Sequence, residues 1–191
     1  MKEITIKVFP FSELSEKAKQ KALDKFRDIN TNYHDWEEPI IEGAKEDLEN
    51  LGYKDIKILY SGFGSQGDGA CFTARVNIQK WLKRHKLSNK YRALYRDNGE
   101  HFSFDITHHW RYYFASSTNV EQGFWDGSSP KAQAQAEEVL KRIEAEREKL
   151  GNRIYRDLET YYFELQEDEA VIDTIEANEY TFREDGTLFI K

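Results

Sequence analysis

Hydrophobic and polar positions alternate along this chain with two different periods, which together predict a mixed helical and stranded fold. Alternation with a period of two predicts strands at 3–9, 56–60, 72–78, 102–106 and 110–119. Apolar spacing of three and four predicts helices at 16–30, 36–51, 79–96, 130–165 and 168–177. A closing hairpin is predicted around Asp185-Gly186, a pair typical of a type I′ turn.

Several element boundaries carry local signals of their own. Ser15 predicts the N-cap of the first helix, and Gly52 predicts the end of the second. Ser129 followed by Pro130 predicts the start of the long helix, because proline suits the first helical turn. Residues 120–129 (VEQGFWDGSS) show neither period and are predicted to form a loop.

These elements predict an α+β protein: an antiparallel β-sheet meander packed by the N-terminal helices, then a long C-terminal helix and a terminal β-hairpin. The expected division is a core at 1–128 and a second part at 129–191, packed on or projecting from it, within one domain overall. A helix of about 36 residues would be about 54 Å long, whereas a compact globule of this size has a diameter of roughly 42 Å. The helix is therefore expected either to break at Gly151-Asn152 or to project and meet a partner, such as a second copy.

Composition restricts the class of protein. Aromatic residues make up 14% of the 191 residues, which excludes a disordered chain. The net charge of −7 argues against a general binder of nucleic acids or anionic membranes, so direct nucleic-acid binding is not expected. The single cysteine, Cys71, excludes a disulfide scaffold and a cysteine-based zinc site. Since no membrane-length apolar run and no signal-peptide core is found, we expect a cytoplasmic protein that does not enter the membrane.

The charges are segregated along the chain. Residues 71–96 contain eight Lys and Arg and no acidic residue, whereas 157–182 contain nine acidic residues and no Lys or Arg. Two interpretations remain open. The segments face each other or form solvated faces, or the acidic segment engages a basic partner or imitates phosphates toward a nucleic-acid-binding protein. The candidate partner-binding carboxylates are Glu164, Glu167, Asp168, Glu169 and Asp173.

Glycines are concentrated between two predicted strands, in the segment SGFGSQGDG at 61–69. Glycine lets backbone N–H groups converge on an anion or a ring. A phosphate-binding loop requires a helix after the glycines, and here a strand follows without a Gly-Lys-Ser/Thr sequence. The segment is either a hairpin loop or a contact for a ligand or partner. The candidate residues for the second role are Ser61, Gly62, Ser65, Gln66, Gly67 and Asp68.

Aromatic side chains cluster between residues 110 and 125. Alternation divides the rings at 110–114 between two faces, of which one is expected in the core. Phe124 and Trp125 lie in the predicted loop and are candidate partner contacts, since large aromatic rings dominate binding hot spots.

The sequence contains no recognised catalytic signature. We find no nucleophile elbow, no Cys–His pattern and no metal-ligand spacing. His101, His108 and His109 are interpreted as residues of a sheet face, and Cys71 as a buried, inert thiol. We therefore expect a protein that is not an enzyme and that uses neither a cofactor nor a metal.

Four stretches resemble a family of small phage and prophage proteins, some of which are labelled "antitoxin of toxin-antitoxin stability system". They are PFSELSEKAKQKAL near the start, the predicted helix that contains Trp36, YSGFGSQGDGACF at 60–72 and the ending at 155–186. The string SGFxSQGDGAxF is the specific part, although Gly64 stands where the family pattern often has a large residue such as Trp. The resemblance implies a phage or mobile-element origin and a bacterial cytoplasm, and it supplies no catalytic residues.

Three functions are consistent with these observations. The leading hypothesis is a phage-encoded protein that inhibits a bacterial anti-phage defence system, such as CRISPR, by stoichiometric protein contact. One alternative is a sponge that binds a small signalling nucleotide through the glycine-rich loop. The other alternative is an antitoxin that neutralises a cognate toxin.

Overall fold

The computed structural model describes residues 6–32 and 35–190 and confirms the predicted α+β class. The helices are α1 (Glu16–Phe26), α2 (Glu38–Leu51), α3 (Ile78–Arg84), α4 (Arg92–Asp97), α5 (Pro130–Glu164) and α6 (Asp168–Ala177). The strands are β1 (Phe9–Pro10), β2 (Tyr53–Tyr60), β3 (Ala70–Val76), β4 (Phe102–His108), β5 (Thr118–Phe124) and β6 (Thr181–Phe182).

The described residues form two compact units. We call residues 39–159 the sheet unit, and the described residues of 1–38 and 160–191 the terminal unit. The division predicted between residues 128 and 129 falls inside the sheet unit, which includes α5 up to residue 159.

The sheet unit is built on an antiparallel meander with the strand order β2-β3-β4-β5. Along β4, Phe102, Phe104 and Ile106 are buried, and the residues between them are partly exposed. This alternation is typical of a sheet with one face on a core and the other toward solvent. The buried face packs with apolar residues of α2, α3, α4 and α5 in one cluster.

Helix α5 is continuous through Gly151, so the first of the two alternatives, a break at Gly151-Asn152, is wrong. Gly151 is required by close packing: a Cβ placed there would lie 2.9 Å from the Cβ of Ala115 and 3.2 Å from the carbonyl oxygen of Ala70. Five apolar residues of α5 are buried within the sheet unit, at Ala136, Val139, Ile143, Ile154 and Leu158. Each such Val, Ile or Leu contributes about 1.5–3 kcal/mol through burial.

Two local predictions for the sheet unit are wrong. The basic stretch at 79–96 forms two short helices, α3 and α4, rather than one, and Lys86 between them has a φ of 58°. Residues 118–124 form strand β5 rather than the end of an extended run and a loop, because each residue pairs with β4. This pairing between strands overrides the weak local preference of the sequence TNVEQGF.

The terminal unit has a small core of its own, formed by α1, α6 and the short strands. Ser15 caps α1 as predicted, since its hydroxyl accepts the N–H of Ala18 at 3.4 Å. Of the strand predicted at 3–9, residues 3–5 lie outside the described residues, and pairing with β6 involves Phe9–Pro10. The buried hydrophobic residues of this core are Phe11, Leu14, Ala18, Ala22, Leu23, Val171, Ile175 and Phe182.

The closing hairpin is confirmed, but its turn is not of type I′. A type I′ turn needs positive φ at both central residues, and here Gly186 has a φ of 82° whereas Asp185 does not have a positive φ. The N–H of Gly186 donates to the carbonyl of Arg183.

The pKa of Asp185 is lowered, chiefly because its carboxylate accepts from Lys21 Nζ at 2.7 Å and also from the N–H and hydroxyl of Thr187.

We expect the substitution Gly186→Ala to destabilise the terminal unit by about 2–4 kcal/mol. An added Cβ would lie 2.2 Å from the carbonyl oxygen of Ala18, and alanine disfavours the positive φ. Gly43→Ala in α2 is the matched control, because nothing lies within 4 Å of its Cβ position and alanine favours a helix. Urea unfolding followed by circular dichroism measures both variants, and equal stability of Gly186→Ala and the wild type would contradict this account.

Candidate functional site

The glycine-rich loop between β2 and β3 is closed by its own hydrogen bonds. Asp68 Oδ2 accepts the backbone N–H of Gly64 at 2.9 Å and that of Ser65 at 2.6 Å. The N–H of Ser61 donates to the carbonyl of Gly69 at 3.0 Å, and the Ser61 hydroxyl donates to the carbonyl of Gly67 at 3.4 Å. The carboxylate therefore occupies the position that an anionic ligand would take on these two N–H groups.

The six residues considered as a ligand or partner contact divide into two groups. Ser61, Gly67 and Asp68 are partly buried and take part in closing the loop. Gly62, Ser65 and Gln66 are exposed. The geometry gives Asp68 a structural role and leaves only the outer rim of the loop accessible to a partner.

A cleft of about 290 Å³ lies between this loop, the segment 114–116 and α5. Two carboxylates, Asp68 and Glu148, and the phenol of Tyr155 line it. Burial raises the pKa of Tyr155, as do the charges of Glu159 and Asp68. Among residues 6–32 and 35–190, no group of three or more His, Cys, Asp or Glu side chains is arranged to hold a metal ion.

We expect Asp68→Ala to leave the fold intact and to open the loop locally. Loss of the carboxylate removes the acceptor for the N–H groups of Gly64 and Ser65, and a hydrogen bond to a charged group contributes about 1.5–3 kcal/mol. Hydrogen exchange of these two amides should accelerate about ten-fold or more. Asp126→Ala, at an exposed position, is the control; similar protection in Asp68→Ala and the wild type would refute the structural role.

The second candidate site is an acidic surface in the terminal unit, which we call the acidic face. Its members lie at the end of α5, in the connection that follows and on α6, and every one is exposed: Glu164, Glu167, Asp168, Glu169 and Asp173. Asp168 Oδ1 accepts from Arg27 Nη1 at 2.5 Å, and the same nitrogen donates to the carbonyl of Gln166. Within the described parts of the chain, the other four carboxylates make no ion pair.

The comparisons with known proteins identify one family. Residues 36–168 match the family described as a domain of unknown function, DUF8835, and these residues are more than half of the chain. The chain belongs to the DUF8835 family. No curated protein and no solved structure is similar to it at a significant level.

The DUF8835 region contains the whole sheet unit, and it includes the glycine-rich loop. It ends at Asp168, the first residue of α6, so Glu169 and Asp173 of the acidic face follow the matched region.

In the described part of the chain, no helix is both long enough and apolar enough to cross a membrane.

Two exposed aromatic pairs lie at opposite ends of the β4–β5 hairpin of the DUF8835 domain. Phe124 and Trp125 are 48% and 52% exposed, and the N–H of Trp125 donates to the carbonyl of His101 at 3.0 Å. Trp110 and Tyr112, which alternation placed on one face without deciding whether that face is in the core, are 62% and 51% exposed. The segment after β4 is an irregular loop rather than the predicted strand, so alternation does not determine their burial.

Cys71 of the DUF8835 domain is 1% exposed, and burial raises its thiol pKa to about 11. Because the thiolate is the reactive form, this cysteine is a structural residue, as interpreted from the sequence.

Within the described residues, the ion pairs of the basic stretch are made with carboxylates that lie outside the acidic segment 157–182. Arg75 pairs with Asp55, Lys90 with Glu138, and His85 lies next to Glu146. The remaining Lys and Arg of 71–96 are exposed, at positions 80, 83, 84, 86, 92 and 96.

Proposed function

We propose that this protein acts by stoichiometric contact with a basic partner protein, through the acidic face, and that the partner belongs to a bacterial anti-phage defence system. The observation that carries the proposal is the exposure of Glu164, Glu167, Glu169 and Asp173 without an ion-pairing partner among the described residues. Charges of one sign concentrated on a surface accelerate encounter with a partner of opposite charge and determine its orientation.

The arrangement of α6 supports this role. The helix carries Val171 and Ile175 on its buried side, and both are fully buried against the core of the terminal unit. Asp173 lies on the opposite side, and Asp168 and Glu169 occupy the first turn, where negative charge is favoured by the helix dipole. Asp168, Glu169 and Asp173 of the acidic face therefore stand on a helix fixed by packing, so little backbone entropy is lost there when a partner binds.

The defence-system partner is inferred from the resemblance to phage and prophage proteins, together with the lack of a catalytic signature in the sequence. An inhibitor of a nucleic-acid-binding defence protein needs a surface that competes for a basic groove, and a row of carboxylates has the required charge. The antitoxin alternative would use the same surface against a toxin, so the partner's identity distinguishes the two.

No contact within the glycine-rich loop favours the nucleotide sponge, since the Asp68 carboxylate already accepts the N–H groups of Gly64 and Ser65.

The test is a plating assay with a phage that is restricted by a defined defence system, such as CRISPR. Expression of the protein in the host should restore plating, and the tagged protein should recover a component of that system from the lysate. Recovery should fall between about 50 mM and about 300 mM salt, because screening weakens exposed ion pairs. Restriction that persists with every defence system tested, or recovery of a toxin instead, would reject the defence-inhibitor proposal.

A further inference from the structure

A second cleft lies in the sheet unit, between the end of α3 and the middle of α5, and has a volume of about 280 Å³. Trp81, Leu87 and Ala145 provide apolar walls. Its polar lining is mostly basic, consisting of His85, Arg142, Lys149 and the single carboxylate Glu146. This volume is just below the range of about 300–1,000 Å³ that is usual for small-molecule sites.

The carboxylate of Glu146 is held by neighbouring donors. Its Oε2 accepts the hydroxyl of Tyr53 at 2.7 Å and the indole N–H of Trp81 at 2.7 Å. Burial and the charge of Glu146 raise the pKa of Tyr53, so the phenol remains a donor. His85 Nε2 lies 3.1 Å from Oε1, and the imidazole ring packs on Trp81 with 4.3 Å between ring centroids. Glu146 is therefore held by Tyr53 and Trp81, and among the described residues it makes no ion pair with Arg142 or Lys149.

Arg142 and Lys149 make no ion pair within the described ranges 6–32 and 35–190. Arg142 Nε donates to the hydroxyl of Tyr91 at 2.9 Å, which fixes the side chain and leaves both Nη groups without a hydrogen bond to the described residues. The nearby carboxylate of Glu138 accepts the hydroxyl of Tyr91 and lies 3.9 Å from Lys90 Nζ. Its negative charge is therefore partly compensated by Lys90. The cleft thus contains the guanidinium of Arg142, held by Tyr91, and the ammonium of Lys149, and neither group is ion-paired with a described residue.

The surroundings add to the positive charge. Lys83, Arg84 and Lys86 are exposed around the end of α3, and no acidic residue occurs from 71 to 96. A concave site with excess positive charge and an apolar wall favours an anion that carries a compact organic group.

We propose that this cleft binds a small molecule bearing a phosphate monoester. Arg142 and Lys149 bind the phosphate oxygens, Arg142 through its two free Nη groups. The organic group lies against Trp81 and Leu87, and His85 completes the lining of the cleft. This site is separate from the acidic face and does not rest on the proposed function.

The experiment is an NMR titration of the full-length protein with inorganic phosphate, with adenosine monophosphate and with glucose 6-phosphate, at constant ionic strength set by chloride. The indole N–H of Trp81 reports on the cleft through its bond to Glu146. The variant Arg142→Gln/Lys149→Gln removes two charges from the cleft. The control Lys131→Gln/Arg156→Gln removes the same charges from exposed positions of α5 outside it.

We expect a saturable shift of the Trp81 indole signal with at least one monoester. The affinity of the cleft variant for that monoester should be lower by about ten-fold or more. The affinity of the control variant should stay within about two-fold of that of the wild type. A shift that does not saturate, or that weakens equally in both variants, would overturn the proposal. The same titration is repeated with a short single-stranded oligonucleotide. Tighter binding of this probe, reduced by neutralising Lys83, Arg84 and Lys86 but not by the cleft variant, would assign the surface to nucleic acid and overturn the small-molecule site.

Discussion

Replacing Arg147 by alanine is expected to lower the free energy of unfolding by about 3–5 kcal/mol. Arg147 lies on the sheet-facing side of α5 and is only 9% exposed. Its Nη1 donates to the carbonyl of Ala115 at 2.5 Å, and to the carbonyl and hydroxyl of Thr118 at 2.6 and 2.7 Å. The substitution removes the guanidinium donor from both buried carbonyls, and the carbonyl of Ala115 then keeps the hydroxyl of Thr118, 3.3 Å away. It also leaves the space of a large side chain unfilled.

The measurement is urea unfolding followed by circular dichroism, with Lys141→Ala on the exposed side of α5 as control. Arg147→Lys should fall between the wild type and Arg147→Ala, because an ammonium retains the charge but lacks the planar shape of the guanidinium. A decrease of less than about 1 kcal/mol in the free energy of unfolding of Arg147→Ala would show that the hydrogen bonds of Arg147 contribute little to stability.

Neutralising the acidic face is expected to reduce affinity for the partner about 100-fold or more, since four exposed carboxylates lose their favourable interactions with basic groups. The variant is Glu164→Gln/Glu167→Gln/Glu169→Gln/Asp173→Asn. It retains Asp168, which pairs with Arg27 within the terminal unit. The association rate should account for part of the loss, and the dependence of affinity on salt should become weaker.

The matched control removes four exposed carboxylates from the sheet unit, as Asp126→Asn/Glu137→Gln/Glu144→Gln/Glu148→Gln. It makes the same change in net charge, so an effect of net charge alone would lower the affinity for the partner equally in both variants. Surface plasmon resonance with the recovered partner compares them. Equal affinities of the two variants would show that the acidic face has no special role.

The elements that local sequence signals determine were predicted well. Ser15 caps α1, and Gly52 with a φ of 110° follows the last residue of α2. The alternation around 56–60 and 72–78 gave the β2–β3 hairpin, because burial of one sheet face requires a period of two. Strand β5 was missed, since its formation depends on partners in β4 that lie far away in the sequence.

The candidate site could be predicted in its composition but not in its contacts. The exposure of Glu169 and Asp173 follows from the helical period of α6, which places Val171 and Ile175 inside. Glu164 and Glu167 lie before α6, so this period does not determine their exposure. The role of Asp68 as an acceptor within its own loop depends on backbone geometry that the sequence does not specify. The association of Glu146 with Tyr53, Trp81 and His85 joins residues of several elements, and no local pattern indicates it.

Hydrogen–deuterium exchange of the complex with the recovered partner tests the central proposal most directly, since it reports which surface becomes covered. We expect protection to increase in peptides covering residues 164–173, with little change in peptides of β4 and β5 that contain Phe124 and Trp125. Protection confined to the glycine-rich loop or to the aromatic ends of the β4–β5 hairpin, without any at the acidic face, would contradict the proposal that the acidic face binds the partner.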